Sequence, residues 1–352
     1  MNNVQLVFVN SFKYLGVIID NKFKFTQHSA YIIEKAKKLF YKLLLYTRPT
    51  WGVHSDNIRT IYEQVIIPII SYATNIWSNS LKYKFITKKF LSLQRLFAIK
   101  IVHGFRTLST VTSISLAQLI PLPDKIKSIA TIESSKLLGL SPFLPSDIPL
   151  EKFAPPSSLL HPSLRTPITF TEINSVEEFD SFAGKYMHHI FTDGSKHDGA
   201  VGAAFVVYDP CKIHVTKKFK LHPSCSVYQA EMLAIQKACE WITSKAQKAR
   251  SYVICSDSKS SLQELSNPYS YNSFAVNIFK LIHTIGLSNI SVGFAWVRAH
   301  IGIAGNETAD IAAKSAAVLH KPPDLICAPI SHIKLQLRSL TSSAPEQCCR
   351  GW

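Results

Sequence analysis

The 352-residue sequence predicts a mainly helical first module followed by an α/β module, a mixed five-stranded sheet with flanking helices. Three observations point there. Between His28 and Gly104, apolar residues recur with the 3.6-residue period of amphipathic helices. From Met187 to Val297, short apolar runs of strand length alternate with helix-type segments, and each run closes on polar or turn residues. Between the two, residues 141–170 hold Pro142, Pro145, Pro149, Pro155, Pro156, Pro162 and Pro167 among many serines, a composition that resists regular ladders. These shifts set the expected boundaries: a helical region over 1–140, a linker over 141–185, a sheet-bearing domain over 186–318 and a tail over 319–352.

With 47% hydrophobic and 18% charged residues, a sizeable core is available and general disorder is excluded. The net charge is +16, which favours a polyanionic partner, nucleic acid before membrane. The excess is uneven: residues 1–110 carry 16 Lys/Arg against 4 Asp/Glu, whereas residues 111–180 carry 5 against 8. Seven cysteines occur without a CxxC pair, which suits reduced, mostly buried thiols of an intracellular protein. Adjacent Cys348 and Cys349 lack the spaced ligands that a zinc knuckle needs. The N-terminus has no basic region followed by an apolar core, and no apolar run approaches the roughly 18 residues of a membrane span. Nothing calls for an obligate protein partner.

In order, residues 4–20 alternate loosely and end in Tyr14-Leu15-Gly16-Val17-Ile18-Ile19-Asp20, a strand or hairpin. His28–Tyr46 is a helix with Ile32, Ala36, Phe40 and Leu43 in phase. Asp56 suits the N-cap of a second, with Ile58, Tyr62 and Val65 inward and a break near Pro68. A third starts near Thr87, with Phe90, Leu93, Phe97 and Ile101 in phase and Gly104 as its stop. Lys82, Lys84, Lys88, Lys89, Arg95 and Lys100 surround it, either a phosphate-tracking surface or a solvated face.

In the second module, Met187–Thr192 reads as a strand ending at Asp193 and a Gly194-Ser195 turn. Gly199–Tyr208 and Ile213–Leu221 follow as strands. Ser226-Val227-Tyr228-Gln229 has the form of a capping box, so a helix starts there and carries Glu231 near its beginning. Tyr252–Cys255 is an apolar strand closing on Asp257. Val292–Val297 runs into Arg298-Ala299-His300, and Asn306 suits the cap of a last helix holding Asp310. Taken singly, each acid has an ordinary reading as a turn, cap or dipole partner. As an ordered set they place carboxylates at strand ends and helix starts, where α/β sheets collect ligand groups. Clustered carboxylates need cations, and hard oxygen ligands suit Mg²⁺ or Mn²⁺.

Two resemblances follow from these stretches. Phe12-Lys13-Tyr14-Leu15-Gly16-Val17, Trp51-Gly52, Ile61-Tyr62 with Ile67-Pro68 and Tyr72, and Leu93-Gln94-Arg95 resemble the region after the palm in reverse transcriptases of non-LTR, LINE-like retrotransposons. That implies a thumb-like element gripping primer–template. The family's polymerase needs an Asp-Asp pair and this sequence has none, so the expectation is a retrotransposon-derived piece without a polymerase active site and without DNA synthesis.

The second module resembles type 1 ribonuclease H over about residues 186–318. The matching stretches are Thr192-Asp193-Gly194-Ser195, Gln229-Ala230-Glu231-Met232-Leu233, Ser256-Asp257-Ser258 and Trp296 through Asn306-Glu307-Thr308-Ala309-Asp310. The resemblance implies a ribonuclease H-like fold with Asp193, Glu231, Asp257 and Asp310 as metal-binding acids and His300 as a mobile histidine aiding proton transfer or product release. It implies two Mg²⁺ ions, with Mn²⁺ as a substitute, and hydrolysis of the RNA strand of an RNA–DNA hybrid. Gly194, Ser195 and Gln229 are the implied substrate contacts. The interval from Asp257 to Trp296 holds only Lys259 and Lys280 as basic residues, like family members without a basic protruding helix. Residues 1–110 would then supply grip on the nucleic-acid backbone. The rival readings are a non-catalytic nucleic-acid-binding remnant and a transposase or integrase core; the position of Glu231 and the His300–Asp310 segment favour ribonuclease H.

Overall fold

A computed structural model describes residues 9–47, 52–139, 148–209, 212–244 and 251–342. The readings placed on Trp51, Cys211, Cys348 and Cys349 lie outside these residues. The chain divides into two compact units, one of Met1–Ser135, Leu140–Pro145 and Ile333–Trp352, the other of Lys136–Gly139 and Ser146–His332.

The first unit opens with the expected hairpin. Strands β1 (Ser11–Tyr14) and β2 (Val17–Asp20) pair antiparallel across a two-residue turn at Leu15 and Gly16. Both turn residues have positive φ, 44° and 86°, the conformation that matches strand twist in a tight hairpin. The Asp20 carboxylate accepts from the backbone N–H groups of Lys22, Lys24 and Phe25 and so fixes the entry to α1 (Thr26–Leu44). As expected, α1 buries Ile32, Ala36 and Phe40.

Helix α2 (Ser55–Ile61) is capped by His54, whose side chain accepts from the Asp56 N–H; Asp56 itself falls in the first turn and is not the cap. No break occurs at Pro68. A π-turn over Tyr62–Ile66 widens the helix just before it, and α3 (Ile67–Ser71) continues with Pro68 near its start, where a missing N–H costs least. The widening also turns Val65 outward, to 46% exposure. Helices α4 (Thr74–Trp77), α5 (Lys84–Ile101), α6 (Thr110–Leu116) and α7 (Leu122–Leu138) complete the unit. Its core packs Phe40 edge-on and Tyr62 tilted against Phe97. Buried Gln94 ties α5 to the start of α7, donating to Ile120 O and accepting from Leu122 N–H.

The second unit contains a six-stranded sheet in the order β3-β8-β7-β4-β5-β6. Its strands are β3 (Thr171–Ile173), β4 (His188–His197), β5 (Ala200–Asp209), β6 (Lys212–Leu221), β7 (Ser251–Ser256) and β8 (Ser291–Val297). The antiparallel β4-β5-β6 meander and the parallel β4-β7-β8-β3 half meet at β4. The expected five strands are therefore six. The extra one comes from the proline-rich stretch, just after Pro167, where Thr171-Glu172-Ile173 restores strand-forming residues and pairs with the free edge of β8. That stretch also yields α8 (Val176–Ala183), capped by Ser175.

Helices α9 (Val227–Ser244), α10 (Lys259–Leu265) and α11 (Ser273–Leu287) cover one sheet face, packing Ile190, Phe205 and Ile254. Helix α12 (Ala304–Ala317) covers the other with Phe191, Val206, Val253 and Cys255. Because both faces are covered, β7 reads as a continuous apolar run and not as an alternation. A last helix, α13, spans Ile330–Ser342. Among the described residues, Cys225, Cys239, Cys255 and Cys327 are free thiols, and no helix is long and apolar enough to cross a membrane.

At Gly202 of β5 the backbone of α12 comes close to the sheet. A Cβ there would sit 2.3 Å from Ala313 O and 2.4 Å from Ala317 N. Only glycine under a run of alanines lets α12 come this close. Gly202→Ala is expected to destabilise the unit by about 1–3 kcal/mol through overpacking, read as a lower urea midpoint at unchanged slope.

Candidate active site

Three carboxylates converge where β4 leaves its parallel partner. Asp193, Glu231 and Asp257 each offer an oxygen, and these oxygens lie within 4.8 Å of one another. Asp193 is not at a strand end, because β4 continues to His197. What ends at Thr192↔Ser256 is its pairing with β7, while its pairing with β5 runs on to His197↔Ala200. The expected Gly194-Ser195 turn is therefore strand, and the reversal falls at Asp198-Gly199, both at positive φ. Losing β7 as a neighbour opens the sheet at Asp193 and lets its carboxylate face Asp257, the residue just past β7.

Glu231 arrives from α9. The capping box is present: Gln229 N–H donates to Ser226 Oγ, and Ser226 N–H donates to Gln229 Oε1. Gly194 then decides how near the helix comes, since a Cβ there would lie 2.6 Å from Glu231 N and 2.9 Å from Ala230 C. Asp257 is held by two groups that the sequence reading did not assign to it. Trp296 Nε1 donates to its main-chain oxygen at 2.8 Å, and Asn306 Nδ2 donates to its Oδ2 at 3.3 Å. Asn306 is not the cap of α12; the helix starts at Ala304, with Ile303 in the cap position. The only sequence signal for these roles was their place in the stretch from Trp296 to Asp310.

Burial sets the electrostatics. Asp193 and Glu231 are 6% and 5% exposed. Burial pushes the Asp193 carboxyl up to about 7, and the neighbouring Asp257 and Asp310 push it further than Lys314 and the Gly194 N–H pull it down. Glu231 is raised well above the usual carboxylate range by burial and then by Asp193 and Asp257. Asp257 is raised by burial against the opposing Asn306 hydrogen bond. Glu231 Oε2 is buried with no hydrogen-bond partner. Three hard, crowded oxygen donors with one left unsatisfied fit a divalent cation.

The remaining expected residues divide. Asp310 lies close enough to raise Asp193 but is not one of the three converging acids; its Oδ2 pairs with Lys314 at 2.7 Å, one turn along α12. His300 is exposed in the loop after β8, with φ 58°. Ser195 is half-buried in β4. Gln229 is fully buried and its amide is engaged at both ends, by Ser226 and by Glu151 Oε2, so in this structure it caps the start of α9. Gly194 serves the approach of α9 to β4.

Residues 186–318 match the RNase H family model. The chain is 27% identical over 126 residues to a putative 115 kDa protein in type-1 retrotransposable element R1DM of Drosophila melanogaster, covering 36% of this chain and 12% of that protein. It is 30% identical over 119 residues to a retrovirus-related Pol polyprotein from type-1 retrotransposable element R1 4 of Nasonia vitripennis, covering 34% of this chain and 30% of the relative. The chain thus spans under a third of the length of either relative. A solved N-terminal RNase H domain from Mycobacterium tuberculosis aligns at 16% identity with a TM-score of 0.31, covering 37% of this chain and 98% of that one.

The raised carboxyls have a consequence for stability. A carboxyl whose folded value lies above its unfolded value keeps its proton longer in the folded state. Its stabilising contribution is complete below about pH 4 and is lost as pH rises through about 7. In the metal-free chain the unit that holds Asp193 is therefore expected to melt at progressively lower temperature from pH 4 to pH 7, while the first unit, where burial lowers the His28 ring to about 4, gains stability over that window. Asp193→Asn flattens that slope. Adding Mg²⁺ at pH 7.5 restores the melting temperature of the wild type and leaves the Asn variant unmoved.

Proposed function

We propose that the RNase H domain at residues 186–318 is an endoribonuclease of the type 1 class, hydrolysing the RNA strand of RNA–DNA hybrids. The observation carrying this reading is the convergence of Asp193, Glu231 and Asp257, with Glu231 Oε2 buried and unpartnered. Asp193, Glu231 and Asp257 would hold a divalent cation, Mg²⁺ or Mn²⁺, with Asp310 as a further ligand once parted from Lys314. Two such ions, when bound, supply an acidified water and neutralise charge on the phosphodiester. Trp296 and Asn306 keep Asp257 aimed at the cluster. His300, exposed on its loop, would carry a proton to the leaving oxygen or aid product release. Recognition would rest on hybrid shape and the 2′-hydroxyl and not on base identity. The basic helical unit would add grip on the nucleic-acid backbone.

A second reading, a nucleic-acid-binding remnant without activity, draws on one observation: the Asp310–Lys314 ion pair occupies the fourth acid. One assay separates the two. Purified chain with Mg²⁺ is expected to cut the RNA of a labelled hybrid, and Asp257→Asn is expected to lower the rate at least 1000-fold while the circular dichroism melt stays cooperative. Binding of hybrid by the wild type with no metal-dependent cut would leave the remnant reading standing.

Lys314→Gln frees Asp310 from its exposed partner. The active-site reading expects it to lower the Mg²⁺ concentration needed for half-maximal cleavage by about two- to fivefold, the modest effect of an exposed ion pair. A rise in that concentration would assign Lys314 to the substrate instead.

A further inference from the structure

We propose that Glu172 of β3 is a positioning residue for Asp257, acting through Lys259 and Trp296. It lies outside residues 186–318, so a strand from the proline-rich stretch helps to hold one acid of the cluster. This deepens the nuclease reading and rests on it for any effect on cleavage.

Asp257 sits between the end of β7 at Ser256 and the start of α10 at Lys259. A residue in such a short gap takes its direction from whatever holds its main chain. The Asp257 main-chain oxygen accepts two hydrogen bonds, from the Lys259 N–H at 3.1 Å and from Trp296 Nε1 at 2.8 Å. The first is local to the turn into α10. The second reaches across from β8, so the stance of the indole fixes the stance of Asp257. Asn306 then holds the carboxylate itself at Oδ2. Groups one step behind a metal ligand set its direction in this way, and moving them weakens metal binding without removing a ligand.

Trp296 is held from the sides and from above. Register places Ser256 of β7 on one side of it and Glu172 of β3 on the other. Register partners project to the same face of a sheet, here the face on which α10 packs. Lys259 opens α10 above them. Its Nζ lies 4.9 Å from the centre of the Trp296 ring and 2.7 Å from Glu172 Oε1. An ammonium over an indole is attracted to the ring, and the carboxylate of Glu172 keeps it there. Without that carboxylate the flexible lysine stem would return to water, and the indole would lose the group that covers it. The Lys259 and Glu172 side chains are 42% and 48% exposed, so the pair adds little to stability. What it contributes is orientation, and its effect belongs at the metal site and not in the melt.

The test uses the full chain. In the metal-free protein the Trp296 indole N–H resonance, assigned with Trp296→Phe, reports the hydrogen bond to Asp257. Glu172→Thr keeps a strand-forming residue that cannot reach Lys259. It and Lys259→Met are each expected to shift that resonance and to weaken Mg²⁺ binding, read by calorimetry, by about threefold or more. The double variant is expected to do no more than Lys259→Met, because Glu172 acts through Lys259. Lys259→Arg is expected to keep wild-type values, since a guanidinium can make both contacts. Circular dichroism melts of these variants stay close to that of the wild type. If the wild type binds no Mg²⁺, the nuclease reading fails and the indole resonance alone decides this one. Single variants with an unmoved resonance or with undiminished Mg²⁺ affinity, or effects that add in the double variant, would overturn the proposal.

Discussion

The site depends on one close approach. Helix α9 meets β4 where residue 194 has no side chain, and any Cβ there would collide with the backbone of Ala230 and Glu231. That contact sets the height of α9 on the sheet and carries Glu231 to within reach of Asp193. The capping box of Ser226 and Gln229 fixes where α9 begins and hence which residue arrives at that height. Gly194, expected from sequence as a substrate contact, thus also acts as a spacer. The glycine at 202 plays the same part for α12 on the opposite face, which carries Asp310 and Asn306.

Such packing concentrates negative charge in a place that water hardly reaches. The protein does not neutralise it internally. Lys314 pairs with Asp310 at the margin, and Asn306 supports Asp257, but Glu231 keeps an oxygen with no partner. The cluster is consequently both a cost to the metal-free protein and a preorganised set of hard ligands, two descriptions of the same buried charge.

Sequence reading located the principal helices and strands well where local rules dominate. Helices α1 and α5 follow their apolar period, and β7 and β8 follow their β-branched and aromatic runs. Misreadings fall where a distant partner overrides a local preference. Gly194-Ser195 has turn chemistry, but the ladder with β5 holds it extended. Thr171–Ile173 is too short to signal a strand and exists because the edge of β8 is open to it. Asn306 has the composition of a cap, yet its amide is drawn to Asp257. Val65 fits the helical period, but the π-turn before Pro68 shifts the phase by one residue.

By itself the sequence determined the chemical inventory: four acids and a histidine in fixed order, a basic first module, and no Asp-Asp pair. Residue identity and short-range periodicity are local properties, and a chain displays them without folding. Only the tertiary structure decided that Asp193, Glu231 and Asp257 converge while Asp310 turns to Lys314, and that Gln229 is occupied. Distance and burial depend on how elements far apart in the chain press against each other, and here two glycines and an open sheet edge set those distances.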